Sequence, residues 1–154
     1  MSDAPDPSSA AEALATAPIQ IVFDCSDPHA QADFWAGALG YEVEQNEDFI
    51  QQMLDGGQAT DGDVARHRGV LVWKDAAAMR DPSGRRPRWY LQRVAEPKAV
   101  KNRVHPDFHV GPGLVESVVE HLQCLGASKL YDGRQGPQAW VTMADPEGNE
   151  FCIS

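Results

Sequence analysis

The chain has 154 residues, with 23 acidic and 13 basic side chains, a formal net charge of -10, and 42% hydrophobic residues. That length suits one domain or two small modules sharing a core, and the apolar content is enough to build one. The acidic balance repels phosphate backbones and anionic bilayers, which argues against nucleic acid and membrane surfaces as partners.

No apolar run approaches the roughly 20 residues that a membrane-spanning helix needs. The N-terminus also lacks a basic segment followed by an apolar one, so a soluble, cytoplasmic protein is expected. Cys25, Cys124 and Cys152 are odd in number, have no C-x-x-C spacing and sit in apolar stretches. They read as reduced core residues. Arg85, Arg86 and Arg88 form a short basic cluster, read as a solvated loop.

Residues 1–18 are rich in Ala, Ser, Pro and Asp without helical apolar spacing and read as a flexible tail. Ile19 to Cys25 alternates, with Ile19, Ile21, Phe23 and Cys25 on one side and Gln20, Val22 and Asp24 on the other. Such a period of two predicts a strand. Asp27-Pro28 then opens a helix, Asp27 as N-cap and Pro28 in the first turn, and Gly40 ends it. Tyr41 to Glu44 is a short strand. Residues 46–68 are less regular, with a short helix around Phe49, Ile50, Met53 and Leu54 and a loop from Gly56 to Asp63. Gly69 to Trp73 predicts a third strand, Asp81-Pro82-Ser83-Gly84 a turn, and Arg88 to Val94 a fourth strand.

After a linker the pattern restarts. Strands are predicted over Arg103–Val110, Lys129–Tyr131, Ala139–Met143 and Glu150–Ile153, with a helix over Leu114–Leu125. Each half therefore runs strand, helix, three strands. Both helices end in Leu-Gly, at Gly40 and Gly126, and both halves place an Asp-Pro-x-Gly turn before the last strand, at Asp81 and Asp145. Such internal echoes indicate a duplicated unit. The expected organisation is a tail over 1–18, a first βαβββ module over 19–100 with an insertion near 46–68, and a second over 101–154.

The stretches SDPHAQADFWAGALGYEVE, RVAEPKAVKNRVHPDFHV and MADPEGNEFCIS resemble the glyoxalase/bleomycin-resistance (vicinal oxygen chelate) superfamily over about 18–154. The resemblance implies an α+β fold in which two tandem βαβββ modules form a curved half-barrel sheet around a cleft. It also implies a divalent metal (Zn, Ni, Fe or Mn) in the catalytic members, which binds two neighbouring oxygens of a small molecule, and frequent homodimers. Carried over by position, the metal ligands are His105 and Glu150 from the second module and Gln20 and Gln92 from the first. A glutamate is usual where Gln92 stands, and a neutral amide is a poorer ligand for a hard ion.

Alternation in His105–Val110 puts His105, Asp107 and His109 on one face and Phe108 and Val110 on the other. Two imidazoles and a carboxylate suit a ligand with an orienting partner, or simply an exposed strand face. Glu150 is the candidate ligand or general base. Asp24, Tyr90, Asp107, His109 and Trp140 are candidates for the pocket wall, and Trp35 reads as core. Motifs for nucleotide binding or serine hydrolysis are missing. Three classes stay open: a metal-dependent lyase or isomerase, a metal-free protein that sequesters a drug or antibiotic, and a non-catalytic dimerisation module.

Overall fold

The computed structural model describes residues 7–154, so the first part of the expected tail lies outside the described residues. From Pro7 to Thr16 the chain forms helix α1, an element the composition did not announce. Residues Ala10 to Thr16 are all exposed, Leu14 at 79%. The helix therefore rests on the intrinsic preference of Ala10, Ala11, Ala13 and Ala15 and not on a buried face.

Strand β1 (Gln20–Cys25) shows the expected alternation, with Cys25 buried and Gln20, Val22 and Asp24 exposed. Ile19 falls outside the ladder and stays exposed. In helix α2 (Pro28–Leu39) the Asp27 carboxylate accepts from the N–H groups of His29 and Ala30, and Gly40 closes the helix in the left-handed region at φ 66. No heavy atom would lie within 4 Å of a Cβ added at Gly40, so the cost of a side chain there is that of the backbone alone. Gly40→Ala is accordingly expected to lower stability by about 1 kcal/mol, read as a lower denaturant midpoint at unchanged m value.

The remaining elements are β2 (Glu42–Val43), α3 (Glu47–Asp55), β3 (Val64–His67), β4 (Val70–Trp73), β5 (Ala76–Arg80), β6 (Arg88–Arg93), β7 (Asp107–Phe108), α4 (Val115–Leu125), β8 (Ser128–Gln135), β9 (Gln138–Ala144) and β10 (Glu150–Ile153). One four-stranded sheet has the order β1-β6-β5-β2 and the other β7-β10-β9-β8. In each, the first strand lies parallel to the last and the other neighbours are antiparallel. The order first, last, third, second recurs, which is the duplication expected from the two Leu-Gly and Asp-Pro-x-Gly echoes. Both sheets are open, and no barrel closes among the described residues.

Two predicted elements shift. The third strand of the first sheet is β5, not Gly69–Trp73; Ala76, Ala77 and Ala78 show no alternation because all three are small and apolar. The segment read as that strand pairs instead with β3, giving a hairpin outside both sheets. The long strand predicted over Arg103–Val110 shortens to Asp107–Phe108. Pro106 has no N–H to donate, although its carbonyl accepts from Cys152 N at 3.1 Å.

A common core joins the halves. Trp35 is 1% exposed, with its ring 5.0 Å from those of Trp89 in the first sheet and Phe151 in the second. Met79, Leu91, Met143 and Phe151 are fully enclosed around it. The turn before β10 grips the start of α2, as the Glu147 carboxylate accepts from Ser26 N at 2.7 Å and Asp27 N at 2.8 Å. No described helix is long and apolar enough to cross a membrane.

Candidate metal centre and its cavity

Strand register brings three donor side chains together. β7 and β10 run parallel with Asp107 opposite Cys152, so these side chains leave the same face side by side. His105 precedes Asp107 by two residues and shares that face. The ligand atoms of His105, Asp107 and Cys152 all lie within 4.8 Å of one another. His105 Nδ1 and Asp107 Oδ1 are 2.9 Å apart, a charge-assisted hydrogen bond when the ring carries its proton there. Cys152 Sγ lies 3.7 Å from Thr142 Oγ1. Burial pushes the Cys152 thiol up, and the nearby Asp107 carboxylate adds to the shift.

These groups open onto a cavity of about 570 Å³ on the outer face of the second sheet. His109 and Trp140 line it, together with Lys101, Tyr131 and Ser154. His109 Nδ1 sits 2.7 Å from Ser154 Oγ, which holds the ring at the wall. The Trp140 indole lies flat on the Cα of its cross-strand partner Gly133, where any side chain would collide with the ring. Gly133→Val is therefore expected to swing Trp140 out of its place, visible as a shift in tryptophan emission, at a cost of roughly 1–3 kcal/mol. His105 also lines a second cavity of about 370 Å³ at the seam between the sheets, shared with Asp24 and Asn102.

Glu150 precedes Cys152 by two residues on the same face, and continuing the ladder register upstream sets it beside His105. Its carboxylate is nevertheless turned to the linker. It accepts from Asn102 N at 3.0 Å and pairs with Lys98 Nζ at 3.2 Å. Burial works against its charge, but the Asn102 N–H and the Lys98 ammonium outweigh burial and hold the carboxyl below its ordinary range. To serve as a base it would first have to release both.

In the first sheet the expected pair does not form. Register places Gln20 opposite Arg88 and Gln92 opposite Asp24, four positions apart, or about 13 Å along the strands. The Gln20 amide oxygen accepts from Arg88, whose guanidinium also pairs with Glu44 at 2.6 Å. Gln92 is exposed. Tyr90 lies under the Arg88 guanidinium, 5.6 Å from its carbon to the ring centre, and not in the cavity of the second sheet. The basic cluster read as a solvated loop is partly tied down, since Arg86 pairs with Asp81 at 3.1 Å.

Alternation could not reveal Lys98, Asn102 and Lys101, which sit in the linker, nor a cavity of about 280 Å³ bounded by His29, Asp33 and His67. There the His29 and His67 rings stack with centres 5.1 Å apart and Asp33 accepts from His67 at 2.8 Å. Of its signals only the i, i+4 spacing of His29 and Asp33 is local. The cysteines divide, with Cys25 and Cys152 buried and Cys124 exposed, against the expectation of three core thiols. Cys25 is pushed up to about 12 by burial and then by the carboxylates of Glu147, Asp27, Asp145 and Asp24. Iodoacetamide at pH 8 is expected to modify Cys124 in the native protein and Cys25 only after denaturation, as peptide mass mapping would show.

A duplicated βαβββ chain with two open sheets and a polar outer face over a cavity has the architecture of the glyoxalase/bleomycin-resistance superfamily. The glyoxalase-like domain family matches residues 20–154, and the chain belongs to that family. Among solved structures, it is similar to a glyoxalase/bleomycin resistance protein/dioxygenase family enzyme from Burkholderia phytofirmans, with TM-score 0.57, 14% identity, and 87% of this chain and 94% of the other covered. The fosfomycin resistance protein FosX from Mesorhizobium loti superposes with TM-score 0.59 at 10% identity, covering 90% of each chain. A mutant FosX from Listeria monocytogenes, complexed with Mn(II) and a dihydroxypropylphosphonic acid, gives 0.58 at 11% identity, again covering 90% of each. At such identities these likenesses speak for the fold. No curated protein matches the chain.

Proposed function

We propose that this protein is a metal-dependent, glyoxalase-like enzyme of the cytoplasm, a lyase or isomerase acting on a small molecule with two neighbouring oxygens. Its modules are taken as 19–100 and 101–154. The observation that carries the reading is the meeting of His105 and Asp107 at a cavity of about 570 Å³. Their donors, 2.9 Å apart, are slightly closer than two ligands of a tetrahedral ion, about 3.4 Å apart for bonds of about 2.1 Å. An ion taking the place of the shared proton would therefore need only a small outward movement of either side chain.

A bound divalent ion would polarise neighbouring oxygens of the substrate and stabilise the negative charge that develops there. The chain's own groups would do the rest. Trp140 offers a flat wall, Lys101 a cation at the rim, and the His109 ring, steadied by Ser154, a hydrogen-bonding group facing the ligand. Glu150, the other carboxylate on this face, is proposed as a further ligand or proton carrier once Lys98 and the Asn102 N–H release it. Gln20 and Gln92 cannot both belong to one centre, because the register sets them about 13 Å apart along the strands.

Elemental analysis after reconstitution with Zn, Ni, Fe or Mn is expected to find about one ion per chain. A protein that retains no ion from any of these would refute the reading. Trp140 and Tyr131, which give the cavity an aromatic wall, support a second reading, sequestration of a planar or cationic compound without metal, which the net charge of -10 favours. A ligand that raises the Tm equally with and without chelator would select it. A homodimer is proposed from the outer edge strand β8, where Leu130 and Tyr131 are 48% and 51% exposed. Light scattering at the mass of one chain would exclude it.

A further inference from the structure

We propose that Cys152 is itself a metal ligand, so that the centre takes a borderline ion of the Zn²⁺ class in preference to Mn²⁺ or Mg²⁺. The inference rests on the metal reading above and names the ion that the donor set selects.

Three observations carry it. The ladder makes Asp107 and Cys152 direct partners, and the donor atoms of His105, Asp107 and Cys152 all lie within 4.8 Å of one another. The sulfur is the inner wall of the site: Cys152 is 8% exposed, yet it lines the cavity. Its contact with the Thr142 hydroxyl, at 3.7 Å, is long and readily given up. The carboxylate that would have made the site hard is turned aside, for Glu150 lies on the same face but is held by Lys98 and the Asn102 N–H.

What remains is one nitrogen, one oxygen and one sulfur, with the cavity side left to a substrate. Three protein ligands and an open position is the form of a catalytic zinc site, whereas Mn²⁺ and Mg²⁺ prefer oxygen-rich shells of higher coordination number. A thiolate shifts selection toward Zn²⁺ and Co²⁺ and away from the harder ions. The Listeria FosX complex holds Mn(II); the inference predicts the opposite preference here.

Cobalt is the probe. The metal-free protein titrated with Co²⁺ is expected to develop an intense sulfur-to-cobalt charge-transfer band in the near ultraviolet, and Zn²⁺ to displace it in competition where Mn²⁺ does not. Cys152→Ser, close in volume, is expected to lose the band and to bind Zn²⁺ roughly 100-fold more weakly, with its far-UV circular dichroism unchanged. His105→Ala is expected to lose the same band, which gives a second variant at a more exposed position. Cys124→Ser is expected to keep it. Stoichiometric Co²⁺ without the band, or Zn²⁺ affinity unchanged in Cys152→Ser, overturns the role of Cys152 and leaves the metal reading standing. Failure of the protein to bind any ion overturns both.

Discussion

His105→Ala is expected to abolish stoichiometric metal binding, weakening affinity for Zn²⁺ by roughly 100-fold or more, while the protein stays folded. The side chain is about one-third exposed, so its loss should leave the Tm of the metal-free protein within about 2 °C. Asp107→Asn tests a carboxylate that is both a proposed ligand and the hydrogen-bond partner of His105. The amide keeps the shape but removes the negative charge that holds the His105 ring 2.9 Å away, and a loss of roughly 10–100-fold is expected. Equilibrium dialysis with atomic absorption measures both. Equal metal content in wild type and His105→Ala would remove His105 from the centre.

Asp145→Ala is expected to have the largest effect on stability, a loss of about 3 kcal/mol, or roughly 6–12 °C in Tm. Asp145 is 3% exposed. Its Oδ1 accepts from Glu147 N and Asn149 N, each at 2.9 Å, and its Oδ2 from Trp35 Nε1 at 3.2 Å. With its amide turned to match, Gln31 adds a donor at 3.1 Å. Alanine would leave several buried donors without a partner at the point where the second module holds α2. Asp145→Asn is expected to cost less. It keeps the acceptor for the turn and avoids burying a negative charge, the cost that raises the pKa of this carboxyl, but it sets an amide N–H₂ against Trp35 Nε1. Calorimetry on both variants checks the order. An Asp145→Ala protein as stable as wild type would show that the turn does not join the modules.

The paired turns show how much was legible. Asp81 and Asp145 each open an Asp-Pro-x-Gly turn, and each accepts from the N–H two residues on, at Ser83 and Glu147. Sequence alone announces that, because a carboxylate bonding its own backbone needs no distant partner. Their electrostatics diverge for tertiary reasons. The Arg86 guanidinium and Ser83 hydroxyl hold Asp81 well below the ordinary carboxylate range, whereas burial lifts Asp145. The candidate site divides in the same way. The shared face of His105, Asp107 and His109 follows from alternation along one strand. That Gln20 and Gln92 cannot meet, and that Glu150 is engaged by Lys98, depends on register and on a linker with no periodicity to read.

By itself, then, the sequence determined what travels with local geometry: the Asp27 and Gly40 caps, the alternation of β1, the duplicated order of elements, and hence the family. Tertiary structure alone decided which residues form a site. Parallel pairing of β7 with β10 set Cys152 opposite Asp107, a contact between residues 45 positions apart in the chain. The physical reason is that helix caps and strand faces arise from bonds a few residues long, while a constellation of ligands is fixed by the register between strands, which only the packed core around Trp35 holds in place.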